Sequence, residues 1–294
     1  MIPSLNQVAQ RVLASVDDRT FYQLQFLRRH GRLPNIVDPS TLNEKIQWLK
    51  LHYRNPQLKA CADKYRARSY VSQRIGDRYL IPLIGVFSDP LQIDFESFPN
   101  SFVLKATHGS GWNIICGNSD ELDRKRSIRE MERWISSDFF KVGREWAYLG
   151  LEPRVICEAF IGDVSGQPPC DYKVFCFNGI PQFVQVDHGR YVRHTRSLYS
   201  TDWSRIHCGL EYPLAVKDTP RPAKLLEMLE VASVLSADFP LVRVDLYEVA
   251  EQVFFGELTF YPGKGVERFR PGNFDTLFGE RLDLSKIPPE FLAA

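Results

Sequence analysis

Two acidic residues, Asp245 and Glu257, have the spacing that most directly suggests chemistry. Each lies in an apolar run that predicts a strand, residues 242–247 and 253–260, so both side chains are expected to face one cleft. Carboxylate oxygens are the ligands that Mg²⁺ prefers, and Mg²⁺ commonly accompanies the phosphates of a nucleotide. Solvation or ion pairing of the two acids is the alternative. A metal site is therefore expected only if other residues can bind phosphate.

A lysine within an apolar strand is the first candidate for binding phosphate. Lys105 lies in the predicted strand of residues 102–106, where an ammonium group is costly to bury unless it meets an anion. The loop that follows contains Gly109, Ser110 and Gly111, and glycines let backbone N–H groups approach a phosphate closely. A hairpin loop with a solvent-facing lysine is the alternative. The loop is not of the Walker type, because neither GxxxxGK(S/T) nor GxGxxG occurs in the sequence.

Further charged residues stand on predicted strands. Glu158 could bind the amino group of adenine or the ribose of a nucleotide. An ion pair with a nearby arginine is the alternative. Asp171 and Lys173 share one face of the next strand. Arg243 and Asp245 share a face in the same way. A cation beside a carboxylate is usually a structural ion pair, but it is also what holds a transferred phosphoryl group near a metal.

The elements around these residues predict an α+β fold with mostly antiparallel sheets. Apolar residues at three- and four-residue spacing predict helices in the first third of the chain, over residues 7–15, 21–30, 43–52 and 63–75. Thr41 and Glu44 form a capping box that starts the third of these helices. Strands are predicted over residues 80–87, 102–106, 114–116, 154–161, 172–177 and 182–186, besides the two that carry the acids. Further helices are predicted over residues 122–144 and 225–235, and Asn178-Gly179 predicts a tight hairpin turn.

Composition bounds the classes of function. The chain has 294 residues, of which 44% are hydrophobic and 25% charged, as in an ordinary soluble protein. Its 37 basic residues balance 36 acidic ones, so nucleic acid is not an expected partner. The sequence shows neither a signal peptide nor an apolar run long enough to span a membrane, and a cytoplasmic protein without a transmembrane segment is expected. Residues 21–33 could contact a membrane surface, although a solvated amphipathic helix is favoured.

Four motifs together resemble one known family. They are LNEKIQWLK at residues 42–50, FVLK at 102–105, DYKVFCFNG at 171–179 and GELTFYPG at 256–263. As a set they resemble the TupA-like ATP-grasp family of bacterial surface-polysaccharide gene clusters. The similarity runs from about Leu42 to Phe278, nearly the whole chain. It implies the ATP-grasp fold, in which two α+β lobes clamp ATP. Here a mostly helical region over residues 1–97 would precede a small lobe over 98–160 and a C-terminal lobe with the metal site over 161–294.

The resemblance also implies roles for individual residues. The nucleotide-binding candidates are Lys64, Lys105, Gly109, Ser110, Gly111, Glu158, Ala159, Phe160 and Asp163. The metal-binding candidates are Asp245, Glu257 and Thr259, and the catalytic candidates are Arg243 and Lys173. Many members of the superfamily have asparagine where this chain has Thr259. Because a hydroxyl binds Mg²⁺ more weakly than an amide carbonyl does, one or two Mg²⁺ ions remain possible.

The reaction implied by the resemblance is an ADP-forming ligation. Most ATP-grasp enzymes use ATP and Mg²⁺ to join a carboxylate to an amine through an acyl phosphate. Here the acceptor would be a uronic acid of a surface polysaccharide, and the amine an amino acid or an amino sugar. The polar segment of residues 187–196 could bind such an acidic sugar, or it could be a solvated loop.

Three alternatives stay open at this point. A kinase that passes phosphate to a sugar hydroxyl needs the same ATP site. A glycosyltransferase would use paired acids and Mg²⁺, but the sequence has no DxD motif and the role of Lys105 would be unexplained. A non-catalytic glycan-binding module is disfavoured, because Lys105, Asp245 and Glu257 are all present.

Overall fold

The computed structural model describes residues 15–162, 168–189 and 194–293. Among these residues, the first helices with described bounds are α1 (Asp18–His30), α2 (Leu42–His52), α3 (Gln57–Ala62) and α4 (Ala67–Ile75). The predicted capping box is confirmed at α2, where the Thr41 hydroxyl accepts a hydrogen bond from the N–H of Glu44 and the Glu44 carboxylate accepts one from the N–H of Thr41. The helix predicted over residues 7–15 lies, apart from residue 15, outside the described residues.

The prediction of one helix over residues 63–75 is wrong at its start. The chain forms a turn first, and α4 begins only at Ala67. The cause is Asp63, because its carboxylate accepts hydrogen bonds from the N–H groups of Tyr65 at 2.9 Å and Arg66 at 2.8 Å. A side chain that bonds to nearby N–H groups in this way competes with the helical pattern.

A four-stranded sheet forms next. It comprises β1 (Leu83–Phe87), β2 (Phe102–Ala106), β3 (Asn113–Cys116) and β4 (Val155–Ala159), in the order β1-β4-β2-β3. Its described pairings are antiparallel, and β2 and β3 form the predicted hairpin. The strand predicted over residues 80–87 is three residues shorter at its start, since β1 begins at Leu83.

One long helix was expected between β3 and β4, over residues 122–144, and this prediction is wrong in length. Helix α5 (Arg124–Ile135) ends where the hydroxyls of Ser136 and Ser137 donate to carbonyls of its last turn. A separate short helix, α6 (Phe140–Gly143), follows. Helix α5 places Met131 and Trp134 in the core of the four-stranded sheet.

The second half of the chain contains the larger sheet and a separate two-stranded sheet. The described strands of this half are β5 (Asp171–Phe177), β6 (Ile180–His188), β7 (Thr195–Tyr199), β8 (Arg205–Ile206), β9 (Gly209–Leu210), β10 (Leu241–Val249), β11 (Gln252–Thr259) and β12 (Phe269–Arg270). Six of them pair antiparallel in the order β11-β10-β5-β6-β7-β8, and β9 pairs with β12. The predicted Asn-Gly turn joins β5 to β6, with φ angles of 49° at Asn178 and 79° at Gly179.

Two helices complete the fold and its main core. Helix α7 (Leu225–Ser236) packs on the six-stranded sheet, and α8 (Asn273–Arg281) packs against α2. Helices α2, α3 and α4 share one buried core with this sheet, where Leu49 and Val71 lie in the same cluster as Leu235 and Val244. The predicted α+β class with antiparallel sheets is confirmed, and the predicted domain boundaries stay a prediction. Among the described residues, no helix combines the length and the apolar character needed to cross a bilayer.

Candidate active site

Strand register brings the charged candidates together. Asp245 on β10 lies opposite Lys173 on β5 and opposite Glu257 on β11. Two residues earlier on β10, Arg243 lies opposite Thr259. Alternate residues of a strand share one face, so all five side chains converge on one side of the sheet.

Asp245 is held by two cations. Its side chain is 2% exposed, and its Oδ1 and Oδ2 accept from Arg243 Nε at 2.6 Å and Arg243 Nη2 at 2.7 Å. Lys173 Nζ lies 2.5 Å from Asp245 Oδ2 and 2.5 Å from Asp171 Oδ2. Burial raises the pKa of the Asp245 carboxyl, and the positive charges of Arg243 and Lys173 oppose this rise. The carboxylate is therefore fixed in position by ion pairs on both sides.

Glu257 is held more loosely. Its side chain is 28% exposed, and its carboxylate lies 3.5 Å from Lys64 Nζ and 3.4 Å from Arg243 Nη2. The Thr259 hydroxyl donates to it at 3.2 Å. Although burial favours the protonated acid, Lys64 and Arg243 lower the pKa of Glu257 to about 2. Glu257 is thus ionised at neutral pH and the more accessible of the two acids.

The four-stranded sheet contributes a second charged group. Glu158 accepts from Lys105 Nζ at 2.7 Å and from Arg68 Nη1 at 2.9 Å, so each of its oxygens has a cation. This is the arginine pairing considered as an alternative, and a contact of Glu158 with nucleotide stays a prediction. Lys64 Nζ also donates to the carbonyl of Gly109 at 2.5 Å. Lys64 therefore contacts both the glycine loop and a metal candidate.

The two glycines of the loop are required for different reasons. A Cβ atom on Gly109 would lie 2.5 Å from the ring of Trp112, so only glycine lets that ring pack on the loop. Gly111 has a φ angle of 75°, which side chains rarely tolerate. Ser110 between them is exposed. The backbone at Ser110 and Gly111 is thus left exposed, as phosphate binding would need, whereas Gly109 is buried beneath the Trp112 ring.

Two adjoining cavities lie at this cluster. A mainly apolar cavity of about 480 Å³ is lined, among others, by Ile81, Val103, Ile115, Ala159 and Phe160. A more polar cavity of about 310 Å³ is lined, among others, by Lys64, Ser110, Lys173, Arg243, Asp245 and Glu257. Both are lined by Lys105, Asn113, Asp171, Asp187 and Tyr247.

Three predicted residues do not line the cavities but hydrogen-bond to residues that do. Gly109 bonds to Lys64 and Glu158 to Lys105. Thr259 bonds to Arg243. The predicted ribose contact, Asp163, lies outside the described residues.

Sequence reasoning missed Tyr247, which lines both cavities. The register of β10 and β11 shifts after Asp245, so Gly256 is an extra residue in a β-bulge. A Cβ atom on Gly256 would lie 2.9 Å from the Tyr247 ring, and the glycine therefore makes room for that ring. The glycine directly before Glu257 was the available signal for a bulge.

The polar segment after β6 lies partly at the site. Asp187 accepts from Arg196 Nε at 2.6 Å, and Arg196 Nη1 lies 3.1 Å from Glu267. His194 Nε2 lies 3.3 Å from Asp187. Three of these residues, Asp187, His194 and Arg196, line the polar cavity. Residues 190–193 lie outside the described residues.

A family model described as TupA-like ATPgrasp matches residues 44–283, more than four-fifths of the chain. The chain belongs to the TupA-like ATP-grasp family. The family match begins inside α2 and extends beyond α8, so it includes both sheets. The resemblance predicted from the sequence is confirmed, and with it the ATP-grasp fold. A comparison with curated proteins found no significant match.

Three solved structures similar to this ATP-grasp chain have low sequence identity to it. D-alanine–D-alanine ligase from Helicobacter pylori is 14% identical with a TM-score of 0.44, over 85% of this chain and 70% of that one. The same enzyme from Bacillus anthracis, complexed with ATP, is 12% identical with a TM-score of 0.41, over 88% and 82%. Phosphoribosylamine–glycine ligase from Thermotoga maritima is 10% identical with a TM-score of 0.43, over 70% of this chain, which spans about half (49%) of that enzyme. The family assignment rests on the family model alone.

The charges of this ATP-grasp site suit a magnesium nucleotide. Three acids, Asp171, Asp245 and Glu257, lie among three cations, which are Lys64, Lys173 and Arg243. Within the described part of the chain, no group of three or more acidic, histidine or cysteine side chains is arranged to hold a metal ion. Phosphates would draw the cations and leave hard carboxylate oxygens for Mg²⁺. Asp245 and Glu257 would hold the ion, with the Thr259 hydroxyl beside Glu257.

Proposed function

We propose that this chain is an ATP- and Mg²⁺-dependent ligase that joins a carboxylate to an amine through an acyl phosphate. The observation that carries the proposal is the convergence of two kinds of charge on one polar cavity. Lys64, Lys105 and Arg243 supply cations that suit phosphates. Asp245 and Glu257 supply carboxylates that suit Mg²⁺. Phosphoryl transfer needs both kinds of group around one phosphate.

The apolar cavity supports a site for the adenine ring. Ile81, Ala159 and Phe160 give it apolar walls, and a volume of about 480 Å³ suits a nucleoside. The phosphates would extend from there to Lys105, which lines both cavities. Ser110 on the glycine loop would then lie against them in the polar cavity.

In the proposed reaction an oxygen of the acceptor carboxylate attacks the γ-phosphorus of ATP, and the bond to ADP breaks. The neutral amine then attacks the acyl carbon, the bond to phosphate breaks, and one proton of the amine passes to the phosphate while the amide keeps the other hydrogen. Bound Mg²⁺ would neutralise charge on the transferred phosphoryl group. Arg243, held by Asp245, would stabilise the oxyanion at the acyl carbon. Lys173, fixed between Asp171 and Asp245, would hold the phosphoryl group.

The proposed acceptor is a uronic acid of a bacterial surface polysaccharide, and the amine is an amino acid or an amino sugar. This choice rests on the family resemblance, and it gains support from His194 and Arg196, basic residues in the wall of the polar cavity. We place the reaction in the cytoplasm, where ATP is available. Helix α1 exposes Leu24, Leu27 and Arg28, which would allow contact with a membrane surface if the acceptor is attached to lipid.

A hydroxylamine-trapping assay tests the proposal. Hydroxylamine converts an acyl phosphate to a hydroxamate, so the protein with ATP, Mg²⁺ and D-glucuronic or D-galacturonic acid or their oligomers should release hydroxamate and ADP in equal amounts. A sugar phosphate in place of the hydroxamate would identify the kinase alternative. Release of UDP from a UDP-sugar would identify the glycosyltransferase. Failure to form ADP and hydroxamate with any uronic acid probe would refute the ligase.

A further inference from the structure

A third cavity lies apart from the two at the proposed ATP site. It has a volume of about 590 Å³, within the range of cavities that bind small molecules. Among the described residues that line it, none also lines the apolar cavity or the polar cavity. Its walls come from the segment after α2, from α4, from the β5–β6 turn, from the connection between α7 and β10, and from residues 286–291. The proposed reaction gives this cavity no role.

The cavity lies at one end of the strands that carry the charged candidates. Asn178 directly follows β5 and Pro240 directly precedes β10, and both line the cavity. Lys173 and Asp245 lie five residues away from them on these two strands. At about 3.3 Å per residue, the strands separate the cavity from the charged cluster by about 17 Å. The cavity is therefore a candidate site of its own.

Asn178, from the motif at residues 171–179, holds one wall in place. Its Nδ2 donates to the carbonyl of Asp283 at 2.9 Å, and its Oδ1 accepts from the N–H of Asp283 at 2.9 Å. These two bonds to one peptide backbone fix the start of the segment that carries Lys286 and Phe291. The motif therefore reaches from the charged cluster at one end to this cavity at the other.

Hydrogen bonds between the walls keep the cavity in shape. The hydroxyl of Tyr70 lies 3.1 Å from Asp238 Oδ2, which also pairs with Arg74. The hydroxyl of Tyr53 lies 3.4 Å from the Asp238 carbonyl and accepts from Asn55 Nδ2 at 3.1 Å. Because these contacts join the segment after α2, α4 and the connection after α7, the cavity is preformed.

Polar groups at the rim keep the capacity to bond to a ligand. Lys286 is exposed and forms no ion pair with another described residue. Gln73 is exposed, and its amide bonds to no other residue that the structure describes. Asp238 Oδ1 accepts no hydrogen bond within the described part of the chain, since Tyr70 and Arg74 both contact Oδ2. The rim thus offers donors and acceptors side by side.

This mixture of groups suits a carbohydrate that carries carboxylates. Each sugar hydroxyl both donates and accepts, so it can bond to an amide and to a carboxylate oxygen together. Arg74 and Lys286 outnumber Asp238, the one acid among the described lining residues, which favours an anionic ligand. Phe291 is the half-buried ring of the lining and offers an apolar surface to the C–H groups of a sugar ring. A purely apolar ligand would leave the amides of the lining unpaired.

We propose that this cavity binds an acidic oligosaccharide at a second place on the protein, away from the reacting groups. Lys286 and Arg74 pair with carboxylates of the sugars. The Gln73 amide and Asp238 Oδ1 bond to hydroxyls, and Phe291 packs on a sugar ring. The acceptor proposed above is of this chemical class. The identification of the bound chain as that acceptor rests on the proposed function, whereas binding of an acidic oligosaccharide does not.

Hydrogen–deuterium exchange of the full chain locates the binding. The probes are tetragalacturonic acid and the glucuronic-acid-containing tetrasaccharide of hyaluronan, with neutral maltotetraose for comparison. At about 10 mM, at least one acidic probe is expected to slow exchange in residues 237–240 and 284–291, and maltotetraose should slow it less. Unchanged exchange in these segments with both acidic probes overturns the proposal. So does equal or greater slowing by maltotetraose.

Variants at the rim test the residues themselves, through the dependence of this slowing on the concentration of the probe. Lys286→Met should weaken the acidic probe by at least about threefold, and the double variant with Gln73→Ala by at least about tenfold. Lys286→Arg keeps the charge and should keep the affinity within about twofold. Lys217→Met, at an exposed lysine outside the lining, is the matched control and should retain the parental affinity. Parental affinity in the folded double variant overturns the assignment.

The trapping assay keeps this proposal apart from the ligase function. That assay depends on the polar cavity, which shares no described lining residue with this one. Hydroxamate formed by a protein whose exchange neither acidic probe alters refutes the oligosaccharide site alone. Slowed exchange without hydroxamate refutes the ligase function and supports the oligosaccharide site.

Discussion

At the scale of residues, Asp245 and Glu257 differ in how firmly the protein holds them. Asp245 is buried and accepts two hydrogen bonds from Arg243 at 2.6 and 2.7 Å, so its carboxylate is held in one position. Glu257 has contacts of 3.4 and 3.5 Å to its cations and is 28% exposed. Because its interactions are weaker and its oxygens are accessible, Glu257 is the acid best able to exchange a cation of the protein for Mg²⁺.

We expect Glu257→Gln to abolish ATP turnover and to leave the fold intact. The amide keeps the shape of the side chain but removes the charge that would hold Mg²⁺. Turnover of ATP with Mg²⁺ and a uronic acid measures the loss, and circular dichroism checks the fold. Glu251→Gln, in the exposed turn between β10 and β11, is the matched control. Turnover at the parental rate in Glu257→Gln would exclude the proposed metal site.

Gly109→Ala should reshape the glycine loop. The new methyl group would lie 2.5 Å from the Trp112 ring, so ring or loop must move. We expect the free energy of unfolding to fall by about 1–3 kcal/mol and ATP to bind more weakly. Gly117→Ala has no heavy atom within 4 Å of the new group and should change stability by less than about 1 kcal/mol. Urea unfolding measures the loss of stability in each variant. An equal loss in both would show that the packing of the Trp112 ring does not require glycine at position 109.

At the scale of elements, features that depend on residues close in sequence could be predicted. Contacts between segments far apart in sequence could not. The capping box at Thr41 and the Asn178-Gly179 turn depend on residues close in sequence, and both predictions are confirmed. The start of α4 was missed because the helical periodicity conceals the turn that Asp63 makes. The register that sets Asp245 opposite Glu257 follows from strand pairing, which the alternation of residues suggests. Cavity walls from remote segments, such as Ile81, carry no local signal at all.

The capping box of α2 gives a prediction that depends on pH. Glu44 is buried, which disfavours its charge, but hydrogen bonds from the Asn35 N–H and Arg32 lower the pKa of Glu44 to about 2. Since this value lies below the ordinary 4.5, the carboxylate contributes stability above pH 4.5 that is lost as the pH falls through about 2. Glu44→Gln should therefore lower the free energy of unfolding by about 1–3 kcal/mol at pH 7.

Urea unfolding between pH 7 and pH 2 measures this contribution of Glu44. The deficit of Glu44→Gln should shrink as the pH falls below 4.5, the ordinary value for the acid. Glu280→Gln, an exposed acid on α8, is the control and should show little deficit at any pH. A deficit for Glu44→Gln that does not change with pH would contradict the assigned pKa.

At the scale of the whole molecule, the site joins both sheets and the turn before α4. Lys64 contacts the glycine loop of the four-stranded sheet and Glu257 of the six-stranded sheet. Helices α2, α3 and α4 share the core of the larger sheet, and Gln47 of α2 also donates to the Lys264 carbonyl. The helical region is therefore part of the catalytic unit in the proposed function. The 42–50 motif is explained by packing, because its residues lie in the core and hold the backbone at Lys264.

Because Lys64 and Arg243 lie beside Glu257, we expect ATP and Mg²⁺ each to raise the affinity of the protein for the other. Phosphates that attract Lys64 and Arg243 release the carboxylate of Glu257, and Mg²⁺ then restores its charge balance. Calorimetry should show ATP binding at least about tenfold more tightly with Mg²⁺ than with a chelator, and Mg²⁺ affinity rising by the same factor when ATP is bound. In Glu257→Gln the coupling should fall below about threefold, because the released group carries no charge. Equal ATP affinity with and without Mg²⁺ in the parent protein would mean that the acids and cations of the site act independently.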